Sequence, residues 1–224
     1  MKDKILFVVT SHGELGDTGR HTGYYLSEVT HPWSVLGQYY DIDVVSPKGG
    51  KPPVDGFNLD DPINKKFWDD AAWQKKMSNT MTPEQVDASA YKAIFYAGGH
   101  GAMWDLPSNE ALARIAEEIY GAGGIIAAVC HGPAGLLPLR DRQGNYFVRN
   151  RKLTSFTNPE EYANGTADIV PFLLETALEN EGAVFEEGGQ WADHVVVDGR
   201  LITGQNPMSA LSLGKALLKA LQSL

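Results

Sequence analysis

The chain has a single cysteine, Cys130. It stands between the apolar run Ile125-Ile126-Ala127-Ala128-Val129 and the segment His131-Gly132-Pro133. A thiolate is a nucleophile, and an adjacent imidazole can hold or take its proton. Proline suits the first position of a helix. The spacing therefore predicts a strand, a sharp turn and a helix, with the thiol presented at the turn. A helix starting there would favour thiolate over thiol. The competing reading is a buried structural cysteine, which is common. The turn context favours a reactive thiol.

Such a thiol needs a sheet behind it. Ile5 to Val9, Ile42 to Ser46, Ala93 to Ala97 and Ile125 to Val129 are short apolar runs closed by Gly, Ser or Pro. Runs of this kind suit strands buried on both faces. Leu153 to Phe156 and His194 to Val197 are weaker strands, and Asp198-Gly199 predicts a hairpin into Leu201-Ile202-Thr203. Helical periodicity runs over Glu110 to Tyr120, with Ser108 as the expected cap, over Asp168 to Glu181, and over Ser209 to Leu221. The alternation predicts an α/β three-layer sandwich around a mostly parallel central sheet. Ligands of such sheets bind beyond the carboxyl ends of the strands, where Cys130 falls. Residues 48–90 break the alternation. They read as an insertion within one domain over residues 1–224, with Phe67, Trp68 and Trp73 as core aromatics.

Four segments together resemble a known family. They are "AVCHGP" around Cys130, "AGGHG" at Ala97 to Gly101, "TSFTNPEE" at Thr154 to Glu161, and "DGRLITGQNPMSA" at Asp198 to Ala210. They are similar to the ThiJ/PfpI superfamily, part of the flavodoxin-like, class I glutamine amidotransferase-like fold. "TGYYLSEVTHP" at Thr22 to Pro32 narrows the resemblance to the glutathione-independent glyoxalase III branch, also called D-lactate dehydratase. The resemblance implies Cys130 as nucleophile and His131 as the triad histidine. It implies Glu161 as the triad acid, with the adjacent Glu160 a rival. It also implies Glu28 as a protonated carboxyl facing the sulfur. Its implied reaction turns methylglyoxal, a small 2-oxoaldehyde, into lactate through a Cys130 hemithioacetal, with His131 or Glu28 moving the proton and without a cofactor. Attack on a carbonyl puts charge on oxygen. The N–H groups of Gly99 and His131 are the expected donors, because Gly98 and Gly99 allow close backbone approach. His100 is expected to line the pocket.

Composition bounds the alternatives. The chain has 224 residues, 43% of them hydrophobic, and a formal net charge of −9 at pH 7. An acidic balance argues against nucleic acid as a partner. No apolar run is long enough for a membrane span or a secretory signal. One cysteine suits a reducing, cytoplasmic setting. No histidine pair has metal-ligand spacing and no second thiol exists, so no metal site is expected. Glu14, Asp17 and His21 are expected near the pocket mouth, as are Trp104 and the Gln205-Asn206-Pro207 turn. Asn164-Gly165-Thr166 reads as a turn. The family resemblance implies a homodimer. The rival function is a stress-responsive chaperone or redox sensor built on an oxidisable Cys130. An amidotransferase fits less well, because the histidine directly follows the cysteine, and a cysteine peptidase needs an extended groove that the sequence does not show.

Overall fold

The structure is a computed structural model that describes residues 2–224. A six-stranded sheet forms its centre. Its strands are β1 (Lys4–Val8), β3 (Asp41–Val45), β5 (Tyr91–Tyr96), β6 (Ile125–Val129), β9 (Val195–Asp198) and β10 (Leu201–Gly204), in the order β3-β1-β5-β6-β10-β9. All neighbours are parallel except β9, which pairs antiparallel with β10 across the hairpin at Asp198 to Leu201. Two short parallel pairs lie outside this sheet: β2 (Tyr24–Tyr25) with β4 (Val54–Asp55), and β7 (Lys152–Leu153) with β8 (Val184–Phe185).

The sheet is covered on both faces because its strands alternate two apolar sets. Ile5, Phe7 and Val9 pack with the helices α1 (Leu26–Leu36) and α8 (Ala210–Leu221). Leu6 and Val8 face the cluster that includes Leu112, Ile115 and Ile119 of α5 (Glu110–Gly121). Helices α1 and α8 pack so tightly that a Cβ on Gly214 would come within 2.9 Å of Pro32 Cα. The remaining helices are α2 (Pro62–Trp68), α3 (Ala71–Met77), α4 (Ala102–Asp105), α6 (Asn158–Ala163) and α7 (Leu174–Asn180).

Several local expectations shift. Asn109, not Ser108, caps α5, accepting from Leu112 N at 2.9 Å. Helix α7 starts at Leu174 rather than Asp168; Pro171 has no N–H to donate, and a proline disfavours helical geometry at the residue before it. Within 48–90, α2 and α3 lie against α1. Phe67 meets Trp33 edge-on at 5.1 Å and Trp73 at 5.2 Å, so this aromatic group is packing rather than a binding cage. No helix among the described residues is long and apolar enough to cross a membrane.

Candidate active site

Cys130 follows directly on β6 with φ of 59°, in the left-handed region that a side chain with a Cβ rarely occupies. The strain is fixed from both sides: its N–H donates to Gly204 O at 2.9 Å and its C=O accepts from Phe156 N at 2.8 Å. The turn continues into a 3₁₀ segment, Gly132–Leu136, instead of the expected α-helix. At Gly132 a Cβ would lie 2.2 Å from Tyr96 O, so only glycine lets the chain pass β5. The strand-and-turn elbow is present, but one 3₁₀ turn supplies little dipole to stabilise a thiolate.

The protonation pattern follows from burial. Cys130 is 3% exposed. Burial and the neighbouring Glu28 carboxyl push its thiol well above the ordinary range, partly offset by the N–H of Gly99 aimed at the sulfur. The expectation of a depressed thiol is therefore overturned. Glu28, in the first turn of α1, is fully buried. Desolvation lifts its pKa from 4.5 to about 8, although contact with Cys130 and the Gly98 N–H pull the other way. The Gly98 N–H donates to Glu28 Oε2 at 2.7 Å, while Oε1 meets no nitrogen or oxygen partner. Near neutral pH Glu28 is a carboxylic acid, and Oε1 is free to carry its proton toward the sulfur.

His131 lies on the other side of the thiol, with Nδ1 3.4 Å from Sγ and Nε2 2.7 Å from Glu161 Oε2. Burial lowers its pKa below the ordinary histidine value, with a further push from His100. Desolvation would raise the pKa of Glu161, but the His131 and His100 imidazoles outweigh it and hold the carboxyl well below its usual range. An ionised Glu161 facing a neutral His131 fixes the proton on Nε2, leaving the Nδ1 lone pair toward the thiol. Glu161 Oε1 also accepts from His100 Nε2 at 2.8 Å and from the Thr166 hydroxyl.

The two glutamates point in different directions. Glu160 turns away from His131 and accepts from Thr157 N, Trp191 N, Gln205 Nε2 and Asn206 Nδ2. Glu161 alone reaches the imidazole. Gly99, His100, Cys130 and His131 line one cavity of about 260 Å³. A Cβ on Gly99 would sit 2.1 Å from Gly23 O, which explains the glycine at φ 98°.

Other expectations divide. His21 and Pro207 line the cavity, joined by Arg20, Tyr25, Phe156, Trp191 and Met208, which spacing did not reveal. Glu14 and Asp17 lie on a shallow cleft beside the mouth. Trp104 stacks on His12 at 5.0 Å, and Gln205 and Asn206 are buried behind the wall. Thr166, read only as part of a turn, completes the shell of Glu161. The turn reading gave no hint of this, because the contact depends on the left-handed backbone of Gly165, at φ 70°. His100, His131 and Glu161 place donor atoms within 4.8 Å of one another, a set that could hold a metal ion. Each imidazole Nε2 is already hydrogen-bonded to the carboxylate, as a proton-transfer triad requires.

The DJ-1/PfpI family pattern matches residues 21–220. The chain belongs to the DJ-1/PfpI family. It is 31% identical to Glyoxalase 3 of Candida albicans and 32% identical to the glutathione-independent glyoxalase HSP31 of Saccharomyces cerevisiae, each alignment covering 98% of both chains. Among solved structures, Rapid Encystment Protein 24 kDa of Francisella tularensis superposes with a TM-score of 0.94 at 39% identity, over 99% of both chains. Glyoxalase III of Candida albicans superposes with a TM-score of 0.90 at 31% identity, over 97% of this chain and 96% of that one.

Proposed function

We propose that this DJ-1/PfpI protein is a glutathione-independent glyoxalase that converts methylglyoxal and related 2-oxoaldehydes to 2-hydroxy acids. One observation carries the reading: a buried carboxylic acid, Glu28, faces a buried thiol inside a cavity of about 260 Å³. That volume suits a small carbonyl compound. Full-length similarity to proteins named as glutathione-independent glyoxalases supports it.

His131 Nδ1 takes the thiol proton as sulfur adds to the aldehyde carbon, C1. The new C–S bond turns the carbonyl oxygen into the hydroxyl of a hemithioacetal, with the N–H groups of Gly99 and His131 as donors to the developing oxyanion. His131, having passed the thiol proton to that oxygen, removes the C1 proton to leave an enediolate. Glu28 delivers its proton to C2 as the C1 hydroxyl proton passes to the C2 oxygen, and the His131 imidazolium then returns a proton to Glu28. C1 is oxidised as C2 is reduced, so the electrons balance within the substrate. The product of this step is a lactoyl thioester on Cys130. Water cleaves it, releasing lactate and restoring the thiol. An unpaired thiol that must remain reduced suits the cytoplasm. A redox-sensing role fits the site less well, because oxidation favours an exposed thiolate and this thiol is buried and protonated.

The test is lactate formed from methylglyoxal without glutathione, by wild type and by Cys130→Ala. Product formation by wild type and none above background by the variant is expected. Lactate made by the variant at the wild-type rate overturns the mechanism, and none from either protein overturns the function.

A further inference from the structure

Glu160 is fully buried and has no part in the chemistry above. Its oxygens accept from Thr157 N at 3.0 Å, Trp191 N at 2.8 Å, Gln205 Nε2 at 2.9 Å and Asn206 Nδ2 at 2.8 Å. The two amides extend the grip. Gln205 accepts from Gly188 N at 2.7 Å and donates to Gly189 O at 3.2 Å, while Asn206 donates to Ala192 O at 2.9 Å. The loop 188–192 is thus tied down at Gly188, Gly189, Trp191 and Ala192. Trp191, within it, has φ of 62°. A bulky residue persists in that conformation only where its surroundings over-determine it. Trp191 is 40% exposed, so burial of the ring does not account for the strain. The ring meets Phe156 at 5.5 Å and forms part of the cavity wall.

We propose that Glu160 is a positioning residue that fixes Trp191 as the outer wall of the cavity, and that this wall selects 2-oxoaldehydes bearing an aryl or similarly bulky apolar group on C2. The substrate class rests on the glyoxalase reading. Sulfur anchors C1 at the buried end, so the C2 substituent extends toward the mouth. There Trp191, Pro207 and Met208 form an apolar side beside the exposed Arg20, His21 and Asn164, with Phe156 and Leu15 deeper in the wall. Its volume of about 260 Å³ lies just below the range of about 300–1,000 Å³ typical of drug-sized ligands, which leaves room for a C2 substituent larger than methyl. A flat group placed there can pack against the indole and the Phe156 ring, which aromatic pairing favours. A carboxylate is suited to holding this loop. Glu160 Oε1 accepts from Trp191 N, Gln205 Nε2 and Asn206 Nδ2 at once, and removing it leaves buried N–H groups unpaired.

The experiment compares kcat/KM for phenylglyoxal and methylglyoxal in wild type, Trp191→Ala, Glu160→Ala and Glu160→Gln. The phenylglyoxal-to-methylglyoxal ratio should fall about tenfold in Trp191→Ala and in Glu160→Ala, the scale of one lost aromatic contact. Glu160→Gln keeps an acceptor for Trp191 N–H and should recover most of the ratio. A merely structural role for Glu160 would lower both substrates together and leave the ratio unchanged. A ratio within about twofold of wild type in either alanine variant overturns the proposal, since a lost aromatic contact is worth more than that. Alkylation of Cys130 by iodoacetamide, followed by mass spectrometry, reads the wall without turnover. Faster alkylation in both alanine variants supports the wall even if wild type makes no hydroxy acid. An unchanged rate counts against it.

Discussion

At the scale of single residues, the site runs on three protonation states set by burial. Glu161 is ionised because two imidazoles and a hydroxyl donate to it. His131 is neutral because charge is costly where it sits, and Glu28 is neutral up to about pH 8 for the same reason. These states predict the pH profile. His131 must be free of its second proton, and its lowered pKa keeps it so below the ordinary histidine range. Glu28 must keep its proton, which it loses at about pH 8. Lactate formation should hold a plateau through neutral pH and fall above about pH 8. Initial rates measured from mildly acidic to strongly alkaline pH check this. A rate still rising well above the Glu28 pKa would mean that thiolate formation alone limits turnover. The contact between Cys130 and His131 was legible from adjacency, since the two are neighbours in the chain. The choice between Glu160 and Glu161 was not. Neighbours on a helix point about 100° apart. Which one faces the imidazole depends on how α6 is rotated against the sheet, and that rotation is set by its partners Trp191, Gln205 and Asn206.

At the scale of elements, the site is assembled where three pieces of chain converge. The end of β5 brings Gly98 and Gly99, the end of β6 brings Cys130 and His131, and the first turn of α1 brings Glu28. Gly98 is the joint between them. A Cβ there would lie 2.6 Å from His131 N and 2.7 Å from both Glu28 Oε2 and Val129 O. Two of those atoms are backbone, so the clash cannot be relieved by a rotamer change. Gly98→Ala should cost about 1–3 kcal/mol from overpacking. It should also abolish most lactate formation, by displacing Glu28 from the thiol. Urea midpoints and turnover measure the two effects separately. Gly121→Ala is the matching control: beyond its chain neighbours and its own helix backbone, nothing lies within 4 Å of the added Cβ, so its midpoint should hold or rise slightly. The sheet itself was legible, because strands buried on both faces announce themselves as apolar runs. The helix expected after Cys130 does not form. Gly132-Pro133 marks the start of a helical turn, but the following residues pack into a buried 3₁₀ segment under α5 and never extend. The start of α7 was not legible from periodicity, because the apolar spacing runs on through Pro171 where the backbone does not.

At the scale of the whole molecule, the site is a liability that the fold must carry. Glu28 binds its proton more tightly folded than unfolded, with its pKa raised from 4.5 to about 8. Folding therefore loses nothing from Glu28 below pH 4.5, where both states are protonated. Between pH 4.5 and about 8 the unfolded chain gains by ionising and the folded chain does not, so the penalty grows with pH. It levels off at higher pH once the folded state ionises too. A raise of this size corresponds to about 5 kcal/mol at the plateau, in order of magnitude. That is comparable to the whole stability of many domains, about 5–15 kcal/mol. Glu28→Gln keeps an oxygen for the Gly98 N–H and places an amide toward the sulfur, but it cannot ionise. The variant should match wild type in stability at pH 4.5 and exceed it by a margin that widens up to about pH 8, while its lactate formation falls. The margin should reach roughly 2–5 kcal/mol. Denaturant midpoints of the two proteins at a series of pH values test this. A constant difference between them would show that Glu28 is not neutral in the folded chain. In that case the acid facing the thiol would be a carboxylate, and the proton returned to C2 would have to come from His131.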